Sequence, residues 1–301
     1  SMSEAEKPDQ IGEAAAVIER IKNTLSRNPK NIGVSRPGIL REVADQPLEI
    51  RKLILGQYIT EQSGPLLHYL IRYAAPEDQN NISRLFEGMT PEETKEWLLL
   101  KENEGPLEYS TLATAAKSKD GGLVKMLISK VSPNEAAELL ATKTRGNPVL
   151  YDLLVHHFDS VVPTLTGLPV KKIADLLEIK NSANQNLLET IINESGWERD
   201  NKHKKREPME AVFGTLGGLS SQRLEKLMES SMSFENRSAT IRDEMNLYYG
   251  AEAVEEMLAG VKRERRPKGE LITKRLENGT IQYEREDPHG VKLLAEIDKT
   301  G

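Results

Sequence analysis

Apolar positions in this chain recur at steps of three and four in short bursts, broken by Pro, Gly and Ser/Thr, which predicts many short amphipathic helices. Ile11, Ala14, Ala15, Ile18, Ile21 and Leu25 predict one helix over residues 11–25, closed by Asn28-Pro29-Lys30-Asn31. Ser35-Arg36-Pro37-Gly38 reads as the start of the next, and residues 39–58 give one or two helices interrupted near Gln46-Pro47. From Gly64 the bursts fall into sets of three. First helices open at Leu66-Leu67-His68, Thr111-Leu112, Val149-Leu150-Tyr151 and Leu187-Leu188-Glu189. Their anchoring leucines, Leu67, Leu112, Leu150 and Leu188, lie 45, 38 and 38 residues apart. Second helices are predicted at residues 82–86, Leu123–Ile128 and near Val161–Leu165.

Third helices follow a recurring signal. Met89-Thr90-Pro91-Glu92-Glu93 is answered by Val131-Ser132-Pro133-Asn134-Glu135, by Leu168-Pro169-Val170-Lys171-Lys172 and, in a degraded form, by Leu219-Ser220-Ser221-Gln222-Arg223. Thr90 and Ser132 are apt N-caps, each with Pro at the first helical position and a Glu, Glu93 or Glu135, at the third. Self-similarity at a near-constant period marks an array whose units must stack to bury a core. The expectation is an all-α fold: an α-solenoid of roughly 40-residue three-helix repeats over residues 39–230. Residues 1–38 would form a polar tail and capping helix, and residues 231–301 C-terminal helices plus a small β-hairpin.

Ser110-Thr111-Leu112-Ala113-Thr114-Ala115-Ala116 resembles the Thr-Pro-Leu-His-x-Ala-Ala opening of ankyrin repeats, and Pro65-Leu66-Leu67-His68-Tyr69-Leu70 resembles a poorer copy that keeps the histidine. Leu123-Val124-Lys125-Met126-Leu127-Ile128 sits where an ankyrin unit places its next helix. The period exceeds the ankyrin length of about 33 residues because of the third helix; HEAT-type repeats match the period better and the motif worse. The resemblance covers roughly residues 60–230. Elongated ankyrin-like units of this kind are similar to those of bacterial effectors delivered into host cells. That resemblance implies a protein-binding role, a host protein as partner and a cytoplasmic setting in the host.

Residues 197–208 form a charged insertion, expected to project as a loop. Beyond it, residues 209–216 and Ser221–Met228 complete a partial unit, and residues 241–249 and 251–261 read as helices separated at Gly250. The basic run at 262–268 reads as a linker. Asn278-Gly279 between two β-prone stretches predicts a two-residue hairpin pairing Leu276 with Ile281, Lys274 with Tyr283 and Ile272 with Arg285.

The chain has no cysteine, which removes thiolate metal sites, disulfides and cysteine nucleophiles, and fits either a reducing cytosol or a chain kept unfolded for export. No apolar run approaches the roughly 18–20 residues of a membrane span. The net charge of −6 argues against a nucleic-acid surface along the whole chain. His68 is read as a structural histidine bonding neighbouring loop backbone. His156 and His157 diverge by about 100° on a helix and cannot both face one ion, so neither a metal nor a cofactor is expected. The main expectation is a non-catalytic protein–protein interaction scaffold. Its surface residues would be Tyr69, Arg72, Glu108, Tyr109, Asp152 and His156 on the first helices, with Trp197, Lys202, Lys204, Lys205 and Arg206 of the insertion. One alternative is an enzyme with Glu286, Asp287 and His289 as its polar groups. Another is an adaptor drawn to anionic membrane or nucleic acid by residues 202–206.

Overall fold

Short helices set off by Pro, Gly and capping residues dominate the structure, a computed structural model that describes residues 6–30, 32–60, 64–103, 108–194, 206–234, 237–264, 271–287 and 290–297. It divides into two units, residues 1–169 with 179–184, and residues 170–178 with 185–301; the boundaries expected at 38 and 230 do not coincide with this division. In the first unit α1 (Glu6–Arg27) buries Ala14, Val17, Ile21 and Leu25 and packs against α2 (Ile32–Ala44) and α3 (Leu48–Leu55). Helix α2 begins at Ile32, ahead of the expected Ser35-Arg36-Pro37-Gly38 start, and carries Pro37 inside it. Arg36 beside it is buried and donates to Asp78 Oδ2 at 2.5 Å and Leu70 O at 3.1 Å.

Three sets of short helices follow. A two-stranded antiparallel finger, β1 (Tyr58–Thr60) with β2 (Gly64–Pro65), leads into α4 (Leu66–Arg72), α5 (Gln79–Leu85) and α6 (Pro91–Leu99). A single bridge between Lys101 and Ser110 leads into α7 (Thr111–Ala116), α8 (Leu123–Ile128) and α9 (Pro133–Ala141). A second finger, β3 (Lys143–Thr144) with β4 (Asn147–Pro148), leads into α10 (Val149–His156) and α11 (Val161–Leu165). One backbone bond closes each lead-in: Leu66 N to Gln57 O (2.8 Å), Thr111 N to Leu100 O (2.9 Å) and Val149 N to Thr142 O (3.1 Å).

Helix α4 packs on α7 and α7 on α10, while α5 packs on α8 and α8 on α11. Every residue of α7 is buried, because its alanines, Ala113, Ala115 and Ala116, let neighbours approach on both sides. The capping boxes form as the sequence requires. Thr90 Oγ1 accepts from Glu93 N at 3.1 Å and Ser132 Oγ from Glu135 N at 3.2 Å, with the glutamates returning bonds to the cap N–H groups. Trp97 is half-buried beside Gly56, whereas Leu139, at the equivalent position of the next set, is buried.

The second unit contains α12 (Val170–Glu178), α13 (Leu187–Glu194), α14 (Glu207–Gly214), α15 (Ser221–Met228), β5 (Ser231–Phe234), β6 (Arg237–Thr240), α16 (Ile241–Tyr249) and α17 (Ala251–Glu264). The antiparallel pair β5–β6 was not expected. It leads into α16 through Ile241 N to Ser230 O at 3.0 Å, the closing bond seen before α4, α7 and α10. Arg242 ties three helices by ion pairs to Glu225 (3.0 Å), Glu229 (3.0 Å) and Glu255 (3.3 Å). Helix α17 continues to Glu264, taking in the start of the basic run expected as a linker.

The C-terminal strands are β7 (Leu271–Arg275), β8 (Ile281–Asp287) and β9 (Gly290–Ile297), a three-stranded antiparallel sheet where a lone hairpin was expected. The register is one residue from the expected one, with Arg275 opposite Ile281, Lys274 opposite Gln282 and Thr273 opposite Tyr283. The turn is the reason. Leu276 N donates to Thr280 O and Gly279 N to Leu276 O, so the loop has three residues, with Gly279 alone at φ +82°.

Candidate functional site

Neighbouring lead-ins and first helices of the first unit gather charged and aromatic groups. Glu108 and Tyr109 precede Ser110, the N-cap of α7, whose hydroxyl accepts from Ala113 N. Lys117 caps the C-terminal end of the same helix, and its Nζ lies 3.2 Å from the centroid of the Tyr109 ring. Arg145 comes from the turn of the β3–β4 finger, with its guanidinium carbon 4.5 Å from that centroid and an ion pair to Glu108 at 3.8 Å. Arg145 and Gly146 both have positive φ, +51° and +81°, the geometry of a two-residue hairpin turn. Such a backbone costs a non-glycine residue roughly 1–2 kcal/mol. The contact with Tyr109, worth about 0.5–1 kcal/mol at an exposed site, offsets part of it.

Asp152 lies on α10 and is 9% exposed, with Oδ2 lacking a hydrogen-bond partner. Burial pushes its carboxyl up to about 6, against the pull of nearby Lys117. His156 is exposed and held below its ordinary value by burial of part of the ring, then by Lys117 and His157. His157 Nε2 donates to Ser118 O at 2.6 Å and binds α10 to the segment after α7. A Cβ at Gly121 would stand 2.6 Å from Ser160 Oγ and 3.1 Å from His157 Nδ1, so this close approach requires glycine.

His68 is fully buried. Its Nε2 donates to Leu100 O at 2.7 Å, which leaves Nδ1 to accept from Thr114 Oγ1 at 3.0 Å. Burial holds the ring down to about 4, opposed by the Leu100 bond and helped by Arg72. It is a neutral strut from α4 to α7.

Two of the expected surface residues are not on an open surface. Tyr69 is 3% exposed, donates to Ile32 O at 2.5 Å and has its hydroxyl pushed up to about 12 by burial; Asp152 is buried as described. Both sit on helices packed on more than one side, which makes the fourth position of each helix internal. Arg72 is half-buried in an ion pair with Glu102. Arg206 belongs to the second unit and pairs with Glu210 and Glu256. Trp197, Lys202, Lys204, Lys205 and His289 lie outside the described residues, and Glu286 and Asp287 fall within β8. Lys117 and Arg145 were not singled out in the sequence. Lys117 follows Leu112 by five residues as Arg72 follows Leu67, and Arg145-Gly146 is a turn signal.

The patch offers cationic donors and an aromatic ring, a set suited to recognition. Among the described residues no three His, Asp or Glu groups stand close enough to hold a metal ion, and no helix is long and apolar enough to cross a membrane. Comparison with known proteins finds no matching family model, no similar curated protein and no similar solved structure.

Proposed function

We propose that the chain is a non-catalytic protein-binding scaffold of stacked three-helix repeats, and that Tyr109, Lys117 and Arg145 mark where a partner docks on the first unit. One observation carries this reading: side chains from consecutive sets, separated in sequence by 36 residues from Tyr109 to Arg145, come together at the lead-ins of adjacent first helices. Units stacked in sequence order produce such a composite surface, and protein binding is the usual use of one. The ankyrin-like motif points the same way, with a host protein in the cytoplasm of a host cell as the partner. Lys117 and Arg145 would meet acidic groups of the partner.

Affinity capture from cell lysate tests this with two variants that spare the core, Tyr109→Ala and Arg145→Gly; glycine relieves the strained backbone at Arg145. A protein retained by the native chain is expected to be lost from both variants while their helical spectra stay native. Equal recovery of the same proteins by all three chains would remove this surface from the account.

A further inference from the structure

We propose that the groove between α14 and α17 is a binding site for an organic cation carrying an apolar body about the size of one aromatic ring. The groove is open on one side and has a volume of about 200 Å³, against roughly 150 Å³ for a closed cavity that holds benzene in an engineered protein core. Phe213, Met257 and Val261 supply its apolar walls, and all three are at most 6% exposed. Gly214 and Gly260 line it from opposite helices, and a Cβ at either would meet nothing within 4 Å. Glycine weakens a helix interior, and Gly260 lies inside α17 with no close neighbour to account for it. Its effect is to keep the groove open.

The polar groups at the groove are the carboxylates of Glu210 and Glu256, one from each helix. Arg206 shows what they accept: its Nε lies 2.7 Å from Glu210 and its Nη2 3.3 Å from Glu256, so one guanidinium bridges the pair. A ligand guanidinium would take over that position while its ring occupies the space left by Gly214 and Gly260, and Arg206, already 47% exposed, would move into solvent. Charge therefore selects cations over anions, and groove volume selects a single ring.

The probe is benzylguanidine, titrated into the full chain carrying ¹³C-methyl methionine, with the Met257 methyl as local reporter and calorimetry for affinity. Neutral benzylurea and anionic phenylpropionate serve as controls. Benzylguanidine is expected to shift Met257 and saturate in the millimolar range, with benzylurea at least threefold weaker. Arg206→Ala removes the internal competitor and should tighten binding about two- to fivefold, the scale of an exposed ion pair. Glu256→Gln should weaken it by a similar factor. Gly260→Leu should abolish the shift while melting no lower than the native chain, which separates a filled groove from an unfolded one. Tighter binding of phenylpropionate, no Met257 response with Arg206→Ala, or undiminished binding to Gly260→Leu would each overturn the assignment. None of these outcomes depends on the patch around Tyr109.

Discussion

Acidification sets two buried groups of the first unit against each other, and a single substitution separates them. His68 titrates at about 4 in the fold against an ordinary 6.5, and Asp152 at about 6 against an ordinary 3.8. A base depressed by folding binds its proton more readily in the unfolded chain. Stability from His68 is therefore complete above 6.5 and drains away as pH falls towards 4. An acid raised by folding behaves oppositely. The folded chain takes up the Asp152 proton first, so stability grows as pH falls from about 6 to 3.8. Between about pH 7 and about pH 4.5 each group contributes about 2 kcal/mol, with opposite signs. Lys117 faces Asp152 and Arg72 faces His68; both stay charged throughout this range, so neither alters the slopes. Urea unfolding followed by circular dichroism across this interval gives the profiles. Asp152→Asn should lose about 2 kcal/mol more than the native chain on acidification, and His68→Gln about 2 kcal/mol less. Three parallel profiles would refute the argument, because they would mean that neither group is buried in the protonation state assigned to it.

Other substitutions probe the anchoring of the helices. Arg51 donates to the carbonyls of Gln46 (2.9 Å), Arg84 (2.7 Å), Leu85 (2.7 Å) and Glu87 (2.8 Å), so Arg51→Met strands the end of α5 and should cost about 3–5 kcal/mol in chemical unfolding. A loss below about 1 kcal/mol would mean water replaces the guanidinium without penalty. Asp78→Ala leaves Arg36 buried and unpaired, at a cost of about 3–5 kcal/mol, whereas the double variant Arg36→Met with Asp78→Leu should recover most of that. If the double variant is as unstable as the single one, the pair contributes through packing that an apolar replacement cannot reproduce. Gly260→Ala should raise the melting temperature, by up to about 1 kcal/mol of stability, and a lowered one would reveal a contact at that position.

The sequence carried the helices well where local chemistry decides them. Thr90, Ser132 and Ser220 cap helices through bonds to residues three positions on, and these bonds depend on a few neighbouring residues. His68 as a strut to loop backbone was legible only through the ankyrin-like motif that carries it, since its partners Leu100 and Thr114 lie 32 and 46 residues away. Burial of Tyr69 and Asp152 was not legible. A helical pattern distinguishes an inner from an outer face, but α4, α7 and α10 are flanked on several sides, and that depends on packing set by distant segments. The register of the C-terminal strands was missed because Asn278-Gly279 supports both two- and three-residue loops, and the choice shifts every pair by one. The β5–β6 finger left only the alternation of Ser231-Met232-Ser233-Phe234, too short to weigh against the helical signals around it. The Tyr109 patch assembles across sets, so its partners, Lys117 and Arg145, carry no shared local motif.

The claim that the sets are interchangeable stacked modules is tested most directly by removing one. Deleting residues 108–145 excises one 38-residue period and joins Leu107 to Gly146. Stacked modules predict a shorter chain that remains helical and unfolds in one cooperative transition, because α10 then takes the place of α7 beside α4. Loss of helical signal, or a broad transition without cooperativity, would show instead that these residues form part of one indivisible core.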